Sequence, residues 1–133
     1  MKNFLSLFIF AMVVVSAAET KPDPKPEEKP AVAPSATPYK TAEMAEFVKL
    51  TKETLAALAA GKQTEMVAKL TDLETAWDDK EKVFRPRNEA VWVSIDKTMD
   101  KAISALRSSK VNLTKGKAHL EALLKEINAA CKD

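Results

Sequence analysis

Proline and glycine are placed unevenly along this chain, and that placement limits its fold more than any other feature. Six of the seven prolines lie between Glu19 and Pro38. From Tyr39 to Asp133 there is one proline, Pro86, and there are two glycines, Gly61 and Gly116. Alanine, leucine, lysine and glutamate dominate that second stretch, and its apolar residues recur at steps of three and four. Such a period places them along one face of a helix, not alternately on two faces of a strand. The few breaks divide the stretch into four helices.

The first predicted helix runs from Thr41, read as its N-cap, to Ala60. Its stripe is Met44, Phe47, Val48, Thr51, Leu55 and Leu58, and Gly61 closes it in the left-handed conformation open to glycine. The second spans Gln63 to Phe84 with Met66, Leu70, Leu73, Trp77 and Phe84 inward. Arg85-Pro86 ends it, because the residue before a proline avoids helical angles. The third starts at the N-cap Asn88 and carries Trp92, Ile95, Met99, Ile103 and Leu106, with Ala102 beside them. Arg107 and Lys110 suit its C-terminal end of the dipole. After a turn from Ser108 to Asn112, the fourth covers Leu113 to Cys131, with Leu120, Leu123, Leu124, Ile127 and Cys131 inward.

Helices of this length joined by short turns pack antiparallel. The expected fold is all-α, an up-down-up-down four-helix bundle over residues 39–133. Counting from the turns puts Met44, Phe47, Trp77, Trp92, Ile95 and Ile127 near one end, beside Arg85-Pro86-Arg87. Leu58, Met66, Leu106 and Leu113 fall near the other. The two tryptophans are expected in one aromatic layer.

Ahead of the bundle stand two further segments. Lys2, an apolar run from Phe4 to Val15, and the small residues Ser16, Ala17 and Ala18 have the order that signal peptidase reads. Residues 1–18 are therefore expected to be a leader cleaved after Ala17 or Ala18. The run is shorter than the roughly 20 residues a spanning helix needs, and the only cysteine, Cys131, is too far away to be a lipid attachment point. No later segment is apolar enough to enter a bilayer stably. Residues 19–38, with proline alternating against lysine, aspartate and glutamate, are expected to be a disordered, extended linker. The domain is thus expected in the periplasm or secreted. A single cysteine forms no internal bridge, but in an oxidising compartment Cys131 could link two copies.

Lysine plus arginine number 21 against 19 aspartates plus glutamates. A near balance lacks the concentrated basic face that nucleic acid requires, so no nucleic-acid partner is expected. No catalytic motif is present. The serines lack a nucleophile elbow, there is no glycine-rich phosphate loop, and His119 is the lone histidine. No cofactor is expected, and the chain does not read as an enzyme. The acids remain. Glu74 and Asp78 are four apart on the second helix, as are Asp96 and Asp100 on the third, and each pair shares a helix face. Two such pairs on adjacent helices could hold a hard divalent cation. The plainer expectation is salt bridging to Lys69, Lys97, Lys101 and Arg107.

Leu73-Glu74-Thr75-Ala76-Trp77-Asp78, the turn Arg85-Pro86 with Asn88, and Trp92 to Arg107 (WVSIDKTMDKAISALR) together resemble a loosely defined group of small exported bacterial helical proteins of unassigned function. The shared pattern is Leu-Glu-x-x-Trp-Asp, a proline turn, then Trp-x-x-x-Asp-x-x-x-Asp, over about half the domain. It is also similar to helical extracytoplasmic segments of bacterial iron permeases, in its Trp and acid spacing. That resemblance implies an exported helical domain. The leading expectation is a non-enzymatic binding module with a protein partner in the envelope, contacted through Trp77, Arg85, Arg87 and Trp92. The alternative is a metal-binding or metal-buffering domain using Glu74, Asp78, Asp96 and Asp100.

Overall fold

The computed structural model describes residues 37–133. The leader read at 1–18, and all of the linker except Thr37 and Pro38, lie outside these residues. Four helices follow in order: α1 (Thr41–Ala59), α2 (Gln63–Phe84), α3 (Glu89–Arg107) and α4 (Leu113–Ala129). At 1.5 Å per residue they are about 25–33 Å long. Each packs on the next and α4 closes onto α1, while the diagonal pairs stay apart, so the architecture is a four-helix bundle. The α2–α3 interface is the thinnest of the four.

The helix ends show why the breaks fall where they do. Gly61 has φ 69°, which only glycine adopts cheaply. Its N–H donates to Leu58 O at 3.1 Å and that of Lys62 to Ala57 O at 2.9 Å, the paired bonds of a Schellman closure. The Asn88 side chain accepts from Val91 N at 3.3 Å, and that of Asn112 from Lys115 N at 2.9 Å. Both asparagines thus cap as their residue type favours. Two ends depart from expectation. The N-cap of α1 is Lys40, not Thr41: the Glu43 carboxylate reaches back to accept the Lys40 N–H at 2.9 Å, one arm of a capping box. Helix α4 stops at Ala129, short of Cys131. The tail instead forms a parallel bridge with the start of the domain, where Tyr39 N donates to Ala130 O at 3.2 Å and Lys132 N to Tyr39 O at 3.0 Å.

One core fills the bundle. Met44, Phe47, Met66, Leu70, Leu73, Trp77, Ile95, Met99, Leu106, Leu120, Leu123 and Ile127 are buried, as the stripes require. Thr51 and Thr54 are buried too, and their hydroxyls donate to Phe47 O and Leu50 O one turn back, which removes the cost of an unpaired polar group. The expected aromatic layer is present. The Trp77 and Trp92 rings stack at 3.9 Å and 6° across the α2–α3 seam, and Phe47 meets Trp77 edge-on at 5.2 Å. Phe84 and Tyr39 extend the layer, 4.9 Å apart. At the opposite end Leu58, Met66 and Leu113 line one small cavity.

Candidate functional site

The residues picked as a contact face have separate placements. Trp77 is wholly buried and Trp92 is 3% exposed, each covering a ring face of the other, so neither indole offers a surface to a partner. Arg87 is engaged within the domain. Its guanidinium donates to Glu43 Oε1 at 2.9 Å and to Pro38 O at 3.3 Å. It also lies over the rings of Tyr39 and Phe84, 5.5 and 5.8 Å from their centres. The hydrogen bond from Arg87, helped by the Lys40 N–H, holds the Glu43 carboxyl below the usual glutamate range. Arg85 is more open and bridges its own surface, with Glu81 at 2.7 Å and Glu89 at 3.4 Å.

Beneath Arg87 is the residue that the periodicity did not mark. Tyr39 lies just before α1 and is wholly buried. Its hydroxyl donates to Phe84 O at 3.0 Å and to Asn88 O at 3.3 Å, on either side of the Arg85-Pro86-Arg87 turn. Burial pushes its phenol up, with Arg87 opposing. Thr37 N donates to Arg87 O at 3.2 Å, so the chain enters the domain pinned to this turn. Tyr39, Glu43 and Arg87 form a clasp that joins the entry strand to the α2–α3 turn and the C-terminal tail. The one sequence signal for it is a tyrosine directly after the last proline of the linker.

The four acids do not act as one group. Glu74 binds Arg107 at 2.6 Å, as expected, and Arg107 also donates to Thr71 at 2.6 Å. Lys69 turns instead to Glu53 of α1, at 3.0 Å. Asp78, Asp96 and Asp100 have no ion pair among the described residues, contrary to the expected salt bridging. A helix turns about 100° per residue, so Lys97 points well away from the face that Asp96 occupies. Asp96 is raised above the usual range first by burial, then by Asp100, Asp78 and Glu81. Asp78 is raised first by burial, then by Glu74, Glu81, Asp79 and Asp100. Each thus feels like charge from across the α2–α3 seam as well as from its own helix. The Trp77 indole N–H is buried there without a well-formed hydrogen bond. Its approach to Asp96 is too poor to count as one, yet it favours the charged carboxylate. Among the described residues no three His, Cys, Asp or Glu side chains converge to hold a metal ion.

A surface recess lies elsewhere, between the C-terminal half of α1 and the start of α2. It has a volume of about 470 Å³. It is lined by Ala56, Ala57 and Ala60, by Glu53 and Lys69, and by Lys62 and Glu65, paired at 3.1 Å. Periodicity could not reveal it, because alanine reads as helix former and filler alike. Comparison with known protein families, with curated proteins and with solved structures finds no match for this chain.

Proposed function

We propose that this is an exported, non-enzymatic helical binding module that holds a helical segment of a protein partner in the α1–α2 groove. One observation supports the reading above all: the groove is lined by three alanines together with side chains of both signs of charge. Small side chains let a second backbone come close, and the Lys62–Glu65 and Lys69–Glu53 pairs at the fringe would exchange partners with the charges of an incoming helix. The leader and linker read from the sequence would deliver the domain to the periplasm or beyond and hold it on a tether. The buried indole pair and the engaged Arg87 move the contact face away from the Trp77–Trp92 end.

The test is crosslinking in the producing cell from a photoreactive residue at Ala56, with the same probe at exposed Ala122 on α4 as control. A single protein adduct from Ala56 alone is expected, and Ala60→Trp, which fills the groove, should abolish it. Equal adducts from both positions, or an adduct that survives Ala60→Trp in a folded protein, would sink the proposal. The metal reading has less support: of Glu74, Asp78, Asp96 and Asp100, Glu74 is taken by Arg107, and no three acids converge among the described residues. It predicts that divalent ions raise the melting temperature and that Asp96→Asn with Asp100→Asn removes the effect. No shift with any ion would end it.

A further inference from the structure

The end of the bundle opposite Tyr39 carries a surface that the groove does not use. Val83, Val111 and Leu113 are the large hydrophobic residues left exposed among the described residues. Two of them share the α3–α4 turn, Val111 at 36% exposure and Leu113 at 49%. Leu113 meets the α1–α2 turn, lining a cavity of about 60 Å³ with Leu58, Gly61, Gln63 and Met66. The turn is braced on both sides of Val111. Ser108 Oγ donates to Lys110 O at 2.8 Å, and Asn112 N donates to Ala105 O at 2.9 Å. Its backbone is held at both neighbours of Val111.

The chain segment that carries this apolar pair is basic. From Lys101 to Leu120 the chain holds Lys101, Arg107, Lys110, Lys115 and Lys117, and no aspartate or glutamate. Arg107 is answered by Glu74, and Lys117 by Glu121 at 3.7 Å. Lys110 and Lys115, which bracket Val111 and Leu113, make no ion pair among the described residues. The formal net charge of the whole chain is only +2, so this is a local concentration.

We propose that the end of the α3–α4 turn and the first residues of α4, together residues 110–115, dock the protein on an anionic lipid surface. Val111 and Leu113 enter the headgroup layer while Lys110 and Lys115 pair with lipid phosphates. A bilayer surface supplies both needs at once, an apolar layer a few ångströms below a sheet of negative charge. A protein partner of ordinary kind would need roughly 800 Å² of matched surface on this side. Two side chains on a tight turn do not present that, whereas a lipid surface needs no matched shape. The lysine stems can lie along the apolar layer with their ammonium groups at the phosphates. Contact of this kind is reversible and salt-sensitive, and it is separate from groove binding.

The full protein, purified from the producing cell, is sedimented with vesicles of phosphatidylcholine mixed with phosphatidylglycerol, and with phosphatidylcholine alone. Binding is expected only to the mixed vesicles, and it should weaken as salt is added. Lys110→Glu with Lys115→Glu should lower the partition coefficient about tenfold or more. Val111→Ser with Leu113→Ser should lower it severalfold without altering charge. Lys80→Glu with Lys82→Glu makes the same charge change near the other end and should leave most of the binding in place. All these positions are exposed, and an unchanged melting temperature confirms the fold. The proposal is overturned by absence of binding to mixed vesicles, by equal losses in the control pair, or by binding that survives both turn variants. A protein adduct from a crosslinker at Val111, with no vesicle binding, overturns it in favour of an acidic protein.

Discussion

Tyr39 shows how much one side chain outside a helix can organise. Its ring packs on Phe84, its hydroxyl bonds two carbonyls of the α2–α3 turn, and its backbone pairs with the C-terminal tail. Ring and hydroxyl should contribute unequally. In Tyr39→Phe both carbonyls keep backbone donors, Phe84 O from Arg87 and Asn88 and Asn88 O from Trp92, so the loss should be about 1 kcal/mol. Tyr39→Ala also empties a wholly buried site, and about 3–5 kcal/mol is expected. Urea unfolding of both variants measures the difference, and equal losses would show that the hydroxyl outweighs the ring. Gly116 makes a second case, in which sign is the issue. An alanine in an exposed helix is favoured over glycine by about 1 kcal/mol. Here a Cβ would overlap Cδ2 and Cγ of Leu106, which is buried and has nowhere to move. Gly116→Ala should therefore lower stability by about 1–3 kcal/mol. In a Leu106→Ala background the same change should cost far less, a coupling that a double-mutant cycle reads directly.

Among the elements, the α2–α3 pair stands apart, because an indole stack joins it while unpaired carboxylates line it. The sign of its pH dependence follows from the raised Asp78 and Asp96. A group raised on folding stabilises the fold fully below its unfolded value, near 3.9 for aspartate, and that contribution is lost as pH rises through the folded value. At neutral pH both carboxylates thus weigh against the fold. Asp96→Asn keeps a carbonyl oxygen for the Trp77 N–H and removes the charge. It should raise stability at pH 7, seen as a higher melting temperature, by an amount that solvent screening holds below about 1 kcal/mol. The gain should vanish at acid pH, where the wild-type group is itself neutral. A fall in stability at pH 7 would show that the Asp96 charge supports the seam. Glu43 and Glu53, both lowered, act the other way: their contribution is present above the ordinary glutamate value and is lost as pH falls. The span of α2 was readable from Gly61 and Pro86 because both act on the backbone at the place where they stand. The pairing of the acids was not, since periodicity assigns a side chain to a face but does not say which neighbour answers it. Lys69 chose Glu53 across the α1–α2 interface, and on the α2–α3 seam Arg107 answers Glu74 but not Asp78, Asp96 or Asp100.

At the scale of the whole domain, the stripes specify a bundle but carry no information on how its two chain ends meet. Cys131 fits the apolar period of α4, yet the helix stops two residues earlier, because pairing with Tyr39 depends on a residue almost the length of the domain away. The same closure shelters the thiol. Cys131 is half-buried, its Sγ donates to Ile127 O at 3.2 Å, and burial, with Asp133 adding, pushes its thiol above the usual cysteine value. The thiolate is the reactive form, so at neutral pH the folded protein should react slowly with a disulfide reagent, and so form a Cys131-linked dimer slowly. The rate should climb with pH later than for a free cysteine. If the clasp at Tyr39 provides the shelter, Tyr39→Ala should speed labelling at denaturant concentrations where α-helical circular dichroism is still native. The tail would then open as a unit smaller than the bundle. Labelling in the folded wild type as fast as in urea would refute the sheltering. Acceleration only in step with loss of helix would instead make the clasp and the bundle a single cooperative unit.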